Sequence, residues 1–224
     1  MPTEEPMRSD TPRSGDGREA LSEAVRQLTS ATVSSVVPPE LLWDAVTRVH
    51  SLVDELNHYL PGVDESPVAS SPPLLDEGPT ALAGRMPFDM IIGTCNPIAP
   101  PISITFDPPK AMGSVTFGPA YQGAPGCVHG AALAGAFDIL LTAANVIDGG
   151  GGPTVELSVR YLKPTLISEA VHFEAWVTGR QGRRIHSRGR CIQSGVITVE
   201  AIGEYVEMDR SRIESLHRRD SERP

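Results

Sequence analysis

Gly126-Cys127-Val128-His129-Gly130-Ala131-Ala132-Leu133-Ala134-Gly135-Ala136-Phe137-Asp138-Ile139-Leu140-Leu141 is the stretch that decides how this chain folds. From Ala131 to Ile147 nearly every side chain is apolar or small. A helix of this composition has no polar face to offer water and is expected to be buried all round. One carboxylate, Asp138, sits in its middle. Leaving an ionised carboxylate unpaired in apolar surroundings costs on the order of several kcal/mol, so its presence there points to a use. His129 and Gly130 stand where the helix starts, at the convergence of free backbone N–H groups and the positive end of the helix dipole. A buried acid and a helix start suited to developing negative charge together point to acyl-transfer chemistry.

Composition sets the outer limits. A chain of 224 residues has room for one domain of ordinary size with extensions. Its formal charge of -9 argues against nucleic acid as a partner. Cys95, Cys127 and Cys191 are odd in number and lack CxxC spacing, so no disulfide framework and no metal site is expected. The opening MPTEEPMRSD lacks the apolar run of a signal peptide. No stretch reads as long and apolar enough to span a bilayer, and a cytoplasmic location is the expectation.

Proline and charge divide the chain. Residues 1–17 are polar and expected to be a disordered tail. Residues 18–85 read as an N-terminal helical extension and linker. Within them Leu21, Ala24, Val25 and Leu28 predict a short helix over 18–29. Leu42, Ala45, Val46, Val49, Leu52, Val53 and Leu56 predict a second from Pro39 to about Leu60. The apolar stripe of the second must be covered, so it is expected to pack on the following domain or on that domain's partner. His50 and His58, with no cluster around them, read as surface residues. Residues 61–85, rich in Pro, Ser, Asp and Gly, read as linker. Residues 86–208 form the main domain, and 209–224 a charged C-terminal tail.

Within the main domain, two short strands are predicted at Ile102–Phe106 and Met112–Phe117, separated by the turn Asp107-Pro108-Pro109-Lys110. The long apolar helix follows and ends at the glycines Gly149 to Gly152. Four strands with period-two patterns come after it. In the first, Val155, Leu157, Val159 and Tyr161 share one face, opposite Thr154, Glu156, Ser158 and Arg160. In the second, Val171, Phe173, Ala175 and Val177 do so. Turns at Arg180-Gln181-Gly182 and Ser194-Gly195 join the later strands as antiparallel hairpins. Only a sheet wrapped around the helix buries it on all sides, which makes the fold class α+β.

Two motifs carry a resemblance to a known family: Gly126-x-x-His129-Gly130 followed by Asp138, and Thr154-x-Glu156-x-x-x-x-Tyr161-Leu162-Lys163-Pro164. Over residues 86–208 the chain resembles the hot-dog-fold acyl-CoA thioesterases, most of all their phenylacetate-degradation (PaaI-like) branch and its mammalian thioesterase-superfamily-member-4 relatives. The resemblance implies a hot-dog fold and hydrolysis of an acyl-CoA to free acid and CoA. It implies no cofactor other than the CoA of the substrate. One departure is Ala131, where the family usually has a second glycine.

The nine-residue spacing (138 − 129) advances a helix by about 13 Å and turns it by about half a revolution. His129 and Gly130 therefore cannot meet Asp138 of the same chain at one carbonyl carbon. Two antiparallel copies of the helix on a two-fold axis bring one helix start to the other chain's acid, which predicts a homodimer or a dimer of dimers. This agrees with the composite sites of the family. Gly130 N–H, with Ala131 N–H as second donor, is expected to hold the oxyanion. Asp138 is expected to act as base on water or as nucleophile, and His129 to fix the loop or donate to the carbonyl. Thr142, one turn beyond Asp138, is a candidate to hold the attacking water. Thr154 matches a catalytic threonine of the mammalian relatives and is the alternative. Arg160, Lys163, Arg183 and Arg184 are the candidate cations for CoA phosphates.

Plainer readings stand beside these: a structural Asp138, a capping His129, Arg183 and Arg184 as hairpin surface charge, and Gly149 to Gly152 as a flexible connector. Two other classes stay open, a non-catalytic acyl-CoA-binding or scaffold dimer and a hot-dog enoyl-CoA hydratase. The hydratase patterns Asp-x-Asn-x-x-x-His and His-Phe-x-x-x-Pro are not found.

Overall fold

The structure, a computed structural model, describes residues 17–60 and 86–208. The expected tail before residue 17, the linker 61–85 and the C-terminal tail 209–224 lie outside the described residues. Two N-terminal helices, α1 (Arg18–Ser34) and α2 (Pro39–Asn57), precede the main domain. There the order is β1 (Ser103–Asp107), β2 (Lys110–Thr116), α3 (Gly130–Ile147), β3 (Thr154–Tyr161), β4 (Ala170–Gln181), β5 (Arg184–Gln193) and β6 (Val196–Val206). The strands form one antiparallel sheet in the order β1-β2-β4-β5-β6-β3. Sequence and structure agree on two strands, a helix and four strands.

Turn chemistry fixes the register of the long hairpins. Ser194 and Gly195, with φ of 50° and 75°, form a two-residue loop between the paired Gln193 and Val196. Left-handed backbone at both central positions is what a tight hairpin needs to match strand twist.

The sheet bends around α3 because its backbone lets the helix come close. Phe137 and Leu140, both fully buried, are the largest side chains α3 turns toward it. A Cβ on Gly189 would sit 3.1 Å from the Phe137 ring, and one on Gly113 would sit 3.0 Å from the Leu140 methyls. Phe137 meets Phe173 edge to face at 5.3 Å between ring centres, a geometry that favours aromatic pairs beyond their area. Val115, Val171, Ile185, Cys191, Val199 and Tyr205 complete the inner face.

Two expectations about the helix need correction. By length and composition alone, Gly130–Ile147 is apolar enough to cross a membrane, although the sequence reading found no such stretch. Here it is the core helix under a sheet. Nor is it buried all round. Ala131 is exposed, and Ala134, Asp138, Thr142 and Val146 are only half-buried. These positions recur at three- and four-residue steps and trace one open stripe of small and polar side chains.

The N-terminal helices differ from each other. α1, five residues longer than its predicted end at 29, is anchored on the domain. Arg26 donates to the Asn96 carbonyl at 3.0 Å, Thr94 donates to Glu19 at 2.8 Å, and Ser22 is buried. α2 buries no residue, and Leu42, Leu52, Val53 and Leu56 stay 44–46% exposed. The expected packing of α2 on its own domain is therefore not found among the described residues. Its apolar stripe of Leu42, Val46, Leu52, Val53 and Leu56 is left open among the described residues.

If α3 is the core, truncating its main contact with the sheet must be costly. Phe137→Ala is expected to destabilise the fold by about 3–5 kcal/mol, through lost transfer energy and the cavity left against Phe173. Denaturant unfolding measures this, and a loss below about 1 kcal/mol would show a sheet that does not depend on the helix.

Candidate active site

Asp138 lies midway along α3 on the open stripe, half-buried. Its Oδ1 accepts a hydrogen bond of 2.7 Å from the Thr154 hydroxyl, and no cation among the described residues pairs with it. A structural acid at this depth is ordinarily matched by a positive charge. This one is matched by a hydroxyl, which leaves Oδ2 uncommitted.

Thr154 reaches Asp138 because β3 breaks its alternation. Strict period two sets Thr154 with Glu156, Ser158 and Arg160 on the outer face. In the structure Thr154 pairs with Tyr205 and Glu156 with Glu204, so two steps along β3 match one along β6 and Val155 is the extra residue of a bulge. A bulge of this kind re-aims one side chain. It turns Thr154 inward beside Tyr205 and leaves Glu156 outward beside Glu204. The face assigned to Thr154 from the sequence pattern is thus corrected.

Thr142 is placed differently. Its hydroxyl donates to the Asp138 backbone carbonyl at 2.8 Å, the common i−4 bond of a helical threonine. Its proton is spent on the helix, and of the two threonines it is Thr154 that touches the carboxylate.

At the other end, His129 is the N-cap of α3, and its Nδ1 accepts from Ala131 N–H at 3.0 Å. A ring nitrogen that accepts carries no proton, so the ring's proton sits on Nε2. This corrects the expectation for Ala131, whose N–H is occupied by His129 and is not a free second donor. Gly130 N–H donates to no group among the described residues. It is the open donor of the helix start.

Tyr161, part of the second motif, ends β3. Its hydroxyl donates to the Gly130 carbonyl at 2.8 Å, and a Cβ on Gly130 would lie 3.0 Å from that oxygen. The tyrosine clamps the first turn, and a larger side chain at 130 would press on its hydroxyl by a few tenths of an ångström. A cavity of about 750 Å³ opens beside this clamp, lined by Cys127, His129, Gly130, Leu133, Tyr161 and Lys163. Asp138 does not line it. Eight residues (138 − 130) at about 1.5 Å each separate acid and donor by about 12 Å along the axis.

Of the four candidate cations, only Lys163 borders this cavity. Arg160 lies on the outer face of the sheet, in a groove with Trp176, Arg188 and Arg190. Arg183 donates to the Glu207 carbonyl at 3.1 and 2.8 Å, and Arg184 pairs with Glu204. Both tie the β4–β5 hairpin to the end of β6. Burial pushes the Cys191 thiol up to about 11, so it stays protonated at neutral pH and offers no nucleophile.

Comparison with known proteins bears on the fold. Residues 125–197 match the thioesterase superfamily, a span that contains His129, Gly130, Asp138, Thr154 and Tyr161. No curated protein matches the sequence. The crystal structure of the thioesterase superfamily protein RHA08564 superposes with a TM-score of 0.73 at 26% identity, over 88% of this chain and 97% of that one. That coverage exceeds what residues 86–208 alone can supply, so the likeness extends into the N-terminal extension. Weaker likenesses cover 48% of this chain. They are to zebra fish thioesterase superfamily member 2, at 16% identity with a TM-score of 0.45 over 81% of that chain. The other is the Escherichia coli PaaI protein of the phenylacetic acid degradation operon, at 14% identity with a TM-score of 0.45 over 80% of that chain. The sheet wrapped on α3 is the hot-dog fold of the thioesterases.

Proposed function

We propose that this chain hydrolyses an acyl-CoA thioester to the free acid and CoA, with Asp138 as the working acid. The observation that carries the reading is the Asp138–Thr154 pair, a carboxylate on the open stripe of a core helix, bound by a hydroxyl and by no cation among the described residues. Thr154 holds Oδ1, and Oδ2 is left to take a proton from water. The resulting hydroxide attacks the thioester carbonyl carbon. The carbonyl oxygen becomes an oxyanion, which the Gly130 N–H stabilises at the positive end of α3. Collapse reforms the carbonyl and breaks the C–S bond. The thiolate of CoA leaves and takes the proton back from Asp138, and the acid releases its own proton to water and departs as carboxylate. Direct attack by Asp138 to give a mixed anhydride, followed by hydrolysis, uses the same residues.

Acid and donor are about 12 Å apart within one chain, so the reaction calls for a second copy. We place Gly130 of one protomer opposite Asp138 of its partner in a homodimer with two equal sites. Two features support this. The open stripe of α3 offers small residues for close approach, and the far edge of β3 pairs with no strand among the described residues, with Val155 and Tyr161 half-exposed. Unpaired edges are templates for a further strand. Lys163, on the cavity at the helix start, is the residue we assign to CoA phosphate.

Asp138→Asn is expected to lower kcat for thiol release from acyl-CoAs at least a hundredfold while leaving CoA affinity near wild type, because the carboxylate acts in the transition state. Near-wild-type kcat in that variant removes the assignment. A wild-type protein that binds acyl-CoAs but releases no thiol would be a binding module, and one that hydrates crotonyl-CoA a hydratase.

Sharing of the site is tested by mixing. Gly130→Pro, which removes the N–H at a position where helices accept proline, and Asp138→Asn are each expected to be inactive alone. Co-refolded together, they should regain activity in the heterodimer, which carries one intact site. Sedimentation of the wild type as a monomer at micromolar concentration, or absence of complementation between chains shown to exchange, contradicts the shared site.

A further inference from the structure

Tyr205 is the largest fully buried side chain of the domain and has no part in the reaction described above. It sits on β6 opposite Thr154, and the bulge at Val155 is what brings the two to the same inner face. Its ring folds back along its own strand over Gly203. A Cβ on Gly203 would lie 2.6 Å from the ring and 2.9 Å from its oxygen, so glycine is needed there to seat the tyrosine. The phenol hydroxyl then stands beside the Thr142 and Thr154 hydroxyls and near the Asp138 carboxylate. It completes no hydrogen bond of good geometry with any of them. A buried hydroxyl left in this state is costly, and folded proteins keep few of them.

Proton bookkeeping defines what this hydroxyl can do. Thr154 gives its one hydroxyl proton to Asp138 Oδ1, and Thr142 gives its own to the Asp138 carbonyl. An ionised carboxylate only accepts. Every polar neighbour of the phenol has therefore spent its proton and has lone pairs open. Burial pushes the Tyr205 phenol well above the usual range, so it keeps its proton. It is the one uncommitted donor in a cluster of acceptors.

We propose that Tyr205 is a positioning residue: its hydroxyl donates to Thr154 Oγ1 and holds that threonine in the single rotamer from which it orients Asp138. The claim that this matters for turnover rests on the reaction proposed above. The claim that Tyr205 sets the Thr154 rotamer does not. The chain of donation runs Tyr205 to Thr154 to Asp138: the phenol gives a proton, and the threonine accepts one and gives one. No bond is made or broken in it. Tyr205 touches no reacting atom.

Tyr205→Phe removes one donated hydrogen bond and, with it, a buried oxygen that accepts none, so the variant is expected to fold with a melting temperature within a few degrees of wild type. Three-bond couplings across χ1 of Thr154 should report one staggered rotamer in the wild type and averaging in Tyr205→Phe. In turnover, kcat is expected to fall about tenfold with KM unchanged, the scale of one lost hydrogen bond at the acid. In a Thr154→Val background the same change should cost nothing further, since the phenol acts through the threonine. A Thr154 rotamer that stays single in Tyr205→Phe overturns the proposal, as does a kcat loss that multiplies with that of Thr154→Val. If the wild type releases no thiol, the proposed reaction fails and the rotamer comparison alone decides the role of Tyr205.

Discussion

The rest of the structure depends on covering α3. A helix mostly of Gly, Ala, Leu, Ile, Val and Phe, with one carboxylate, cannot rest in water. The sheet meets it by bending its inner face onto Phe137 and Leu140 at the glycines Gly189 and Gly113. A sheet can enclose only part of a cylinder. The uncovered arc is the stripe that runs through Ala131, Ala134, Asp138 and Thr142. Small side chains make that arc available for close approach, and the acid lies along it. The fold and the proposed site thus share one cause: the helix is too apolar to expose, and one sheet does not surround it.

Much of this was legible in the sequence because hydrophobic period reports burial directly. The apolar run of α3, the alternation in β4 to β6 and the left-handed turn at Ser194-Gly195 each state their own conformation. What could not be read were departures from period. One extra residue at Val155 reverses the face of Thr154, and nothing in Thr154-Val155-Glu156 distinguishes a bulge from a regular strand. The same limit hides Tyr205, which reads as one more inward residue of β6 until the bulge sets Thr154 beside it.

Other differences arise from competition among partners. Ala131 N–H is a free donor in an isolated helix start, yet His129 Nδ1 stands where it can accept from it. Arg183 and Arg184 are as cationic as any ligand-binding pair, yet Glu207 and Glu204 lie across the adjoining strand end and engage them. α2 has the stripe of a packed helix, yet none of its residues is buried among the described residues. Sequence lists what each group could bind, and only the fold decides which partner arrives.

The most direct test of the shared site is a crystal structure of the wild-type protein with an unhydrolysable acyl-CoA analogue in which a methylene separates carbonyl and sulfur. The account predicts the analogue's carbonyl oxygen on the Gly130 N–H of one protomer, its carbonyl carbon facing Asp138 of the partner, and Lys163 near the CoA phosphates. An analogue whose carbonyl is held by Gly130 and Asp138 of the same protomer, or bound away from both residues, would contradict it.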